Sequence, residues 1–177
     1  MPFEQQYLSQ VALLIETIPL VAEEDCFALK GGTAINLFVR DMPRLSVDID
    51  LTYLPIQSRD PSLKAINAAM TRISGRIGKQ MPGARLTAKQ AEGATVRLLV
   101  RADGAQIKVE VTPVLRGCVY EHERRSVSPS VEKAFGFAEM NVVSFADLYA
   151  EKIMAALDRQ HARPMETTGS VRKDRCC

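Results

Sequence analysis

The sequence contains few of the residues from which zinc sites and disulfide frameworks are built. It has four cysteines and two histidines among 177 residues. The cysteine spacing fits neither a zinc pattern nor a disulfide framework, and His122 and His161 are far apart in the sequence. We therefore expect histidines at the surface and reduced thiols, with Cys26 and Cys118 packed as small apolar side chains.

Long hydrophobic runs are also lacking. The most apolar run, residues 11–22, is interrupted by Glu16 and Pro19, and it is shorter than the roughly 20 residues that cross a bilayer. The first residues do not carry the basic lead of a signal peptide. These features predict a cytoplasmic protein without a transmembrane helix.

The net charge is small, at +2, and this value does not by itself indicate nucleic-acid binding. Five basic residues lie close together in the sequence, and we interpret them as a solvated helix face; they are Arg72, Arg76, Lys79, Arg85 and Lys89. The composition is 46% hydrophobic and 25% charged, which is ordinary for a globular domain with its own core.

Periodic patterns predict alternating helices and strands. Helices are expected at 4–18, at 33–40, from 60 to the Pro82–Gly83 pair, and at 148–160, and strands at 26–29, 46–53, 84–90, 93–101, 105–114 and 136–143. The strands at 93–101 and 105–114 should form a hairpin that turns at 102–105. We expect Pro19 to end the first helix or to start a second short helix through Glu24. Residues 115–135 are expected to be mostly loop. In the last helix, the side chains expected to pack inward are Leu148, Ile153, Ala156 and Leu157. This order predicts an α+β fold, a mixed sheet flanked by helices.

Two acidic residues alternate with apolar ones in the strand at 46–53. Side chains two apart on a strand share a face, so Asp48 and Asp50 should project together. Two neighbouring carboxylates repel each other unless a cation lies between them, and hard oxygen ligands suit magnesium or manganese. The pair therefore predicts a divalent metal site.

A glycine pair precedes this strand and opens a short helical pattern. Gly31 and Gly32 allow the backbone to approach a ligand closely, and Thr33 is a good N-cap residue for the helix that follows. Free amide groups at such a helix start form a phosphate site. A phosphate cradle beside a metal-binding carboxylate pair is what chemistry on a nucleoside triphosphate requires.

The ordered combination of residues 30–35 (Lys-Gly-Gly-Thr-Ala-Ile) and 44–51 (Arg-Leu-Ser-Val-Asp-Ile-Asp-Leu) resembles the AbiEii/AbiGii toxin family. These are nucleotidyltransferases of the DNA-polymerase-β-like superfamily, the toxins of bacterial toxin–antitoxin and abortive-infection systems. A second segment, 147–161, is also similar to this family. The resemblance covers residues 28–54 and 106–161.

The resemblance implies a catalytic set of Asp48, Asp50, Glu110 and Lys152. It implies that Mg²⁺ or Mn²⁺ binds to the three carboxylates, and that the nucleotide is bound by Gly31, Gly32, Thr33, Ser46, Lys108 and Arg159. The implied partners are a nucleoside triphosphate, an RNA acceptor such as tRNA, and a cognate antitoxin. For Glu110 the alternative is a solvent-facing pair with Lys108 on an edge strand, and for Arg159 it is a surface arginine near a helix end.

We expect a catalytic domain at 1–161 and an unstructured tail at 162–177, because the tail is polar and has no period. The tail departs from the family, whose longer members continue into a helical region, and truncation is our hypothesis. Two alternative functions stay open. One is transfer of a nucleotide to a small molecule or a protein, and the other is an inactive remnant that binds only nucleotide or antitoxin.

Overall fold

A computed structural model describes residues 2–41, 46–91 and 93–160. The helices are α1 (Pro2–Ala22), α2 (Gly31–Thr33, which continues as a π-helical segment, Ala34–Val39), α3 (Arg59–Gln80), α4 (Pro129–Phe135) and α5 (Phe145–Gln160). The strands are β1 (Phe27–Lys30), β2 (Asp48–Tyr53), β3 (Arg85–Ala91), β4 (Ala94–Ala102), β5 (Ala105–Arg116), β6 (Glu123–Ser126) and β7 (Glu139–Val142).

The seven strands form one mixed sheet in the order β3-β4-β5-β2-β1-β7-β6. Strand β2 lies at the centre, parallel to β5 on one side and antiparallel to β1 on the other. The antiparallel hairpin of β4 and β5 turns at Asp103 and Gly104, both of which have positive φ angles. The α+β fold with a mixed sheet and flanking helices is as predicted, and so is this hairpin.

Helices α1 and α3 cover one face of the sheet. Their apolar sides contribute fully buried residues such as Leu14, Ile18, Ile66, Met70 and Ile73, which pack with Ile49, Leu98 and Val109 of the strands. The alternation of side chains along β4 and β5 sends their polar residues to the opposite face. The site described below lies on that opposite face.

Several local predictions were wrong. Helix α1 continues through Pro19 to Ala22, because burial of Leu20 and Val21 outweighs the proline penalty of about 3 kcal/mol. The stretch 115–135 is not mostly loop, since it contains β6 and α4, and α4 begins with Pro129 directly after Ser128. Proline at the first helical position is a start signal that the sequence analysis overlooked.

The inward face predicted for α5 is also wrong in part. Leu148 is buried, but Ile153, Ala156 and Leu157 are exposed. That side of α5 is open to solvent in the described ranges, so apolar periodicity alone did not identify a buried face. None of the helices in those ranges has the length and apolar character needed to cross a bilayer.

The cluster of basic residues does not form one solvated helix face. Arg72 and Arg76 of α3 both bind Glu24, which is 6% exposed, at distances of 2.6–2.9 Å. Arg85 and Lys89 lie on strand β3. Arg72 and Arg76 are thus held by a carboxylate distant in sequence, whereas Lys79 on α3 and the two residues on β3 are exposed.

The cysteine and histidine expectations hold where the structure describes these residues. Cys26 and Cys118 are unpaired and half-buried, and burial raises the pKa of the Cys26 thiol to about 11. His122 is exposed. His161 and the predicted tail, 162–177, lie outside the described residues.

Candidate active site

The three carboxylates named from the sequence lie on neighbouring strands. Asp48 and Asp50 belong to β2 and Glu110 to β5, and in the parallel pairing Asp50 is the partner of Glu110 while Asp48 is the partner of Lys108. Paired residues on adjacent strands, about 4.8 Å apart, project to the same face. The structure therefore brings Asp48, Asp50, Glu110 and Lys108 together on the open face of the sheet.

Lys108 lies between two of the carboxylates. Its Nζ is 3.2 Å from Oδ2 of Asp48 and 3.0 Å from Oε2 of Glu110. Burial works against the charged form of the lysine, but the hydrogen bonds that it donates to Glu110 and Asp48 outweigh this effect and raise its pKa. The ammonium group is therefore a protonated internal counter-ion of the carboxylate cluster.

Arg97 of β4 completes the surroundings of Glu110. Its Nη2 donates a hydrogen bond of 2.6 Å to Oε1 of Glu110, while its buried Nε has no hydrogen-bond partner. Partial burial works against the charged form of Glu110, yet the bonds from Arg97 and Lys108 prevail and lower its pKa. Glu110 is thus held as an anion by two cations, and strand β5 is an interior strand rather than the edge strand of the alternative interpretation.

Asp50 lies deeper than the other carboxylates. Burial raises its pKa, the negative charges of Asp48 and Glu110 act in the same direction, and Lys108 and Lys30 oppose the shift. Gly31, with a φ of +75°, lies directly against it. A β-carbon at Gly31 would come within 2.8 Å of Oδ2 of Asp50, so a larger residue there would be strained by its φ angle and would displace the Asp50 carboxylate.

The start of α2 differs from the prediction in one respect. The helix begins at Gly31, so Lys30 occupies the N-cap position and Thr33 lies inside the helix. The Thr33 hydroxyl instead donates a hydrogen bond of 3.1 Å to Oγ of Ser46, just before β2. A β-carbon at Gly32 would lie 2.6 Å from the same Ser46 oxygen, so Gly32, Thr33 and Ser46 form one close-packed group.

Lys30 is a residue of this site that the sequence analysis quoted without assigning it a role. At the end of β1 it pairs with Asp50 of β2, and its Nζ is 2.9 Å from Oε1 of Glu151 on α5. Its side chain is only 11% exposed. Its position immediately before the glycine pair was the one sequence signal that could have placed Lys30 at the site. Its contacts with Asp50 and Glu151 depend on strand register and helix packing, which the sequence does not specify.

Arg97 was also missed. Nothing in its local sequence distinguishes it from the other basic residues, and it reaches Glu110 because β4 pairs with β5 in the register Arg97 to Glu110. A row of paired residues thus crosses five strands and consists of Lys30, Asp50, Glu110, Arg97 and Lys89.

The remaining predicted residues lie on α5. The side chain of Lys152 is exposed, and the preceding residue, Glu151, is the one that binds Lys30. Arg159 belongs to the last turn of α5, and its side chain lies outside the described part of the structure. Helix α5 therefore approaches the carboxylate face through Glu151.

Carboxylates converging from two strands beside a glycine-opened helix are the arrangement expected for a nucleotidyltransferase. Comparison with protein-family models supports this class. The model of the AbiEii family, described as nucleotidyl transferase AbiEii toxin of type IV toxin–antitoxin systems, matches residues 12–165. The chain belongs to this family, as the resemblance of its motifs suggested. A search of curated proteins gave no match.

Members of this enzyme family typically use divalent metal ions. Three carboxylates supply the hard oxygen donors that magnesium and manganese prefer, and the donor set fits such an ion chemically. With the side chains as they stand in the described ranges, no group of three His, Cys, Asp or Glu residues is arranged to hold a metal. The positive charge between Asp48 and Glu110 is that of Lys108.

Proposed function

We propose that this toxin-family protein transfers a nucleotide from a nucleoside triphosphate to an RNA acceptor, with tRNA as the preferred candidate. The observation that carries the proposal is the register of β2 and β5, which pairs Asp50 with Glu110 and sets Asp48 beside them. Acidic side chains from two strands on one open face are suited to collect a divalent ion and a triphosphate.

In this proposal Asp48, Asp50 and Glu110 hold Mg²⁺ or Mn²⁺. A bound ion of this kind polarises phosphoryl oxygens and helps to ionise an attacking hydroxyl. The protein's own contribution is to orient the carboxylates: Arg97 fixes Glu110 by a bond of 2.6 Å, and Gly31 leaves the space that Asp50 fills.

Phosphate binding is assigned to the start of α2 and to nearby cations. Gly31 and Gly32 form the start of the helix beside Asp50 and Ser46, and the Thr33 and Ser46 hydroxyls lie 3.1 Å apart. Amides at a helix start attract phosphate oxygens. The buried Thr33 hydroxyl donates to Ser46, which leaves the Ser46 hydroxyl hydrogen to donate to a phosphate oxygen.

Four basic residues are assigned to the triphosphate; they are Lys30, Lys108, Lys152 and Arg159. Lys30 and Lys108 already lie among the carboxylates. The exposed Lys152 has the freedom to approach the outer phosphates, where it would stabilise negative charge on the departing pyrophosphate.

Growth arrest on expression tests the proposed role in a cell. Expression of the wild-type chain should arrest growth, and expression of Asp48→Ala should not, provided that immunoblots show equal amounts of both proteins. Lys64→Ala is the matched control, because Lys64 is an exposed residue of α3, on the side of the sheet opposite the carboxylates. This variant should arrest growth as the wild type does. Arrest by Asp48→Ala at equal abundance would contradict the proposal.

A further inference from the structure

A line of basic residues continues from the carboxylates to the edge of the sheet. Arg97 pairs with Lys89 of the edge strand β3, and four residues further along β4, Arg101 pairs with Arg85. Since a strand rises about 3.3 Å per residue and neighbouring strands are about 4.8 Å apart, the four residues mark a rectangle of roughly 13 by 5 Å. We name Arg85, Lys89, Arg97 and Arg101 the basic strip.

The basic strip is accessible because the helices lie on the other side of the sheet. Leu98 and Val100, which alternate with Arg97, Leu99 and Arg101 along β4, are buried beneath α3. Arg85, Lys89 and Arg101 are exposed, and Arg97 is half-buried. The cations therefore project from an open sheet surface that begins next to Glu110.

The charges of the basic strip are only partly neutralised. Arg97 is bound to Glu110, and Nε of Arg101 donates a 2.6 Å hydrogen bond to the neutral side chain of Gln106. Within the described ranges no carboxylate lies at ion-pair distance from Arg85 or Lys89. The surface therefore becomes more positive from Glu110 toward the edge strand β3.

We propose that the basic strip binds the phosphodiester backbone of the nucleic-acid acceptor and directs its end toward Asp48 and Asp50. This inference rests on the proposed function and adds the surface, the basic strip, to which the acceptor binds. Cations on an open surface neutralise successive phosphates without reading sequence. A protein partner is less well suited, because protein interfaces usually centre on apolar or aromatic anchors, and half-buried Leu99 is the main apolar side chain between these cations.

The experiment measures binding of a fluorescent RNA by anisotropy, without nucleoside triphosphate, at several salt concentrations. The test protein is the full chain carrying Arg85→Glu and Lys89→Glu, two exposed substitutions. The matched control carries Lys64→Glu and Lys79→Glu, which reverse the same number of exposed charges on α3. Circular dichroism establishes that both variants are folded.

The strip variant should bind RNA at least about tenfold more weakly than the wild type. The slope of log K against log salt should become shallower by about 1.4, since each phosphate contact on a single strand contributes about 0.7. The control should keep both values. Equal losses in the two variants would overturn the proposal, as would unchanged RNA binding by the strip variant accompanied by loss of binding to the antitoxin.

The binding assay separates this proposal from the proposed function. Asp48→Ala should abolish transfer without weakening RNA binding, because Asp48 lies outside the basic strip and its loss removes a negative charge. If the wild type binds RNA through the strip but transfers no nucleotide, the proposed function fails and the surface assignment stands. If transfer to RNA occurs and the strip variant binds normally, the surface assignment alone fails.

Discussion

The Lys108 ammonium lies 3.2 Å from a carboxylate oxygen of Asp48, across the pair of parallel strands at the centre of the sheet. The same group contacts Glu110 at 3.0 Å. The lysine therefore places its own charge in the space that the proposed function assigns to a divalent ion. An ion that enters this space competes with the ammonium for the same oxygens.

Replacing Lys108 should expose this competition. Lys108→Met removes the internal cation while keeping a similar length of apolar side chain, so the affinity for Mn²⁺ should rise about fivefold, equivalent to an exposed ion pair of about 1 kcal/mol. Lys108→Arg keeps the charge and should bind Mn²⁺ like the wild type. Isothermal titration calorimetry measures both affinities. Weaker Mn²⁺ binding by Lys108→Met would contradict the claim that Lys108 competes with the ion for the carboxylates.

Gly31→Ala should impair the site through both strain and a clash. The left-handed φ of +75° costs an alanine roughly 1 kcal/mol or more, and the new β-carbon would also meet Asp50 at 2.8 Å. Gly104→Ala is the matched control, since its φ is +77° and no atom lies within 4 Å of the new β-carbon. Both variants should lose stability in urea unfolding, but only Gly31→Ala should lose Mn²⁺ binding. Similar Mn²⁺ affinities in the two variants would show that displacement of Asp50 does not affect metal binding.

Asp50→Asn should separate stability from metal binding. The substitution removes a buried charge beside two like charges, so the metal-free variant should melt at a higher temperature than the wild type. Adding Mn²⁺ should stabilise the wild type, by about 2.7 kcal/mol at a hundred times the dissociation constant, and should stabilise the variant much less. Melting curves in chelator and in Mn²⁺ provide the comparison. An equal rise in the melting temperature of both proteins would exclude Asp50 as a ligand.

Glu24 should make stability depend on acid pH. Its burial opposes ionisation, but hydrogen bonds from Arg72 and Arg76 prevail and lower its pKa. A lowered carboxylate pKa stabilises the fold above the ordinary value of about 4.5, and this contribution is lost as the pH falls further. Glu24→Gln should therefore cost about 2 kcal/mol at neutral pH and show a weaker loss of stability in acid.

Glu23→Gln is the control for that substitution. Glu23 also contacts Arg76, at 3.3 Å, but its side chain is 51% exposed, so its loss should cost less than about 1 kcal/mol. Urea unfolding between pH 7 and about pH 2.5 measures both variants, because the contribution of Glu24 is lost only below about pH 4.5. Equal dependence of stability on pH for Glu24→Gln and the wild type would show that Glu24 does not cause the loss of stability in acid.

The sequence predicted that Asp48 and Asp50 share one strand face because that signal is local, whereas Glu110 was added through the family resemblance. The alternation of Asp48 and Asp50 with apolar residues identifies a strand face, and a second alternating strand carries Glu110. The alternating pieces around Asp103 and Gly104 likewise predict the hairpin that orients β5. Strand periodicity and turn chemistry need no knowledge of distant residues.

The features that were missed depend on distant contacts. Lys30 and Arg97 join the site through the registers of β1 with β2 and of β4 with β5, which periodicity does not specify. Arg76 is largely covered and Arg72, although exposed, is held in an ion pair, because Glu24, about 50 positions earlier, binds both. At Pro19 the sequence analysis considered only the cost of a proline inside a helix, whereas the burial of Leu20 and Val21 allows α1 to continue.

The most direct test of the account is transfer of label from each α-³²P nucleoside triphosphate to RNA in the presence of magnesium. With total RNA as acceptor, the wild-type protein should label RNA from at least one of these nucleotides, and Asp48→Asn, folded and at the same concentration, should label none. The account would be contradicted if no nucleotide labels RNA, or if Asp48→Asn labels it as well as the wild type does.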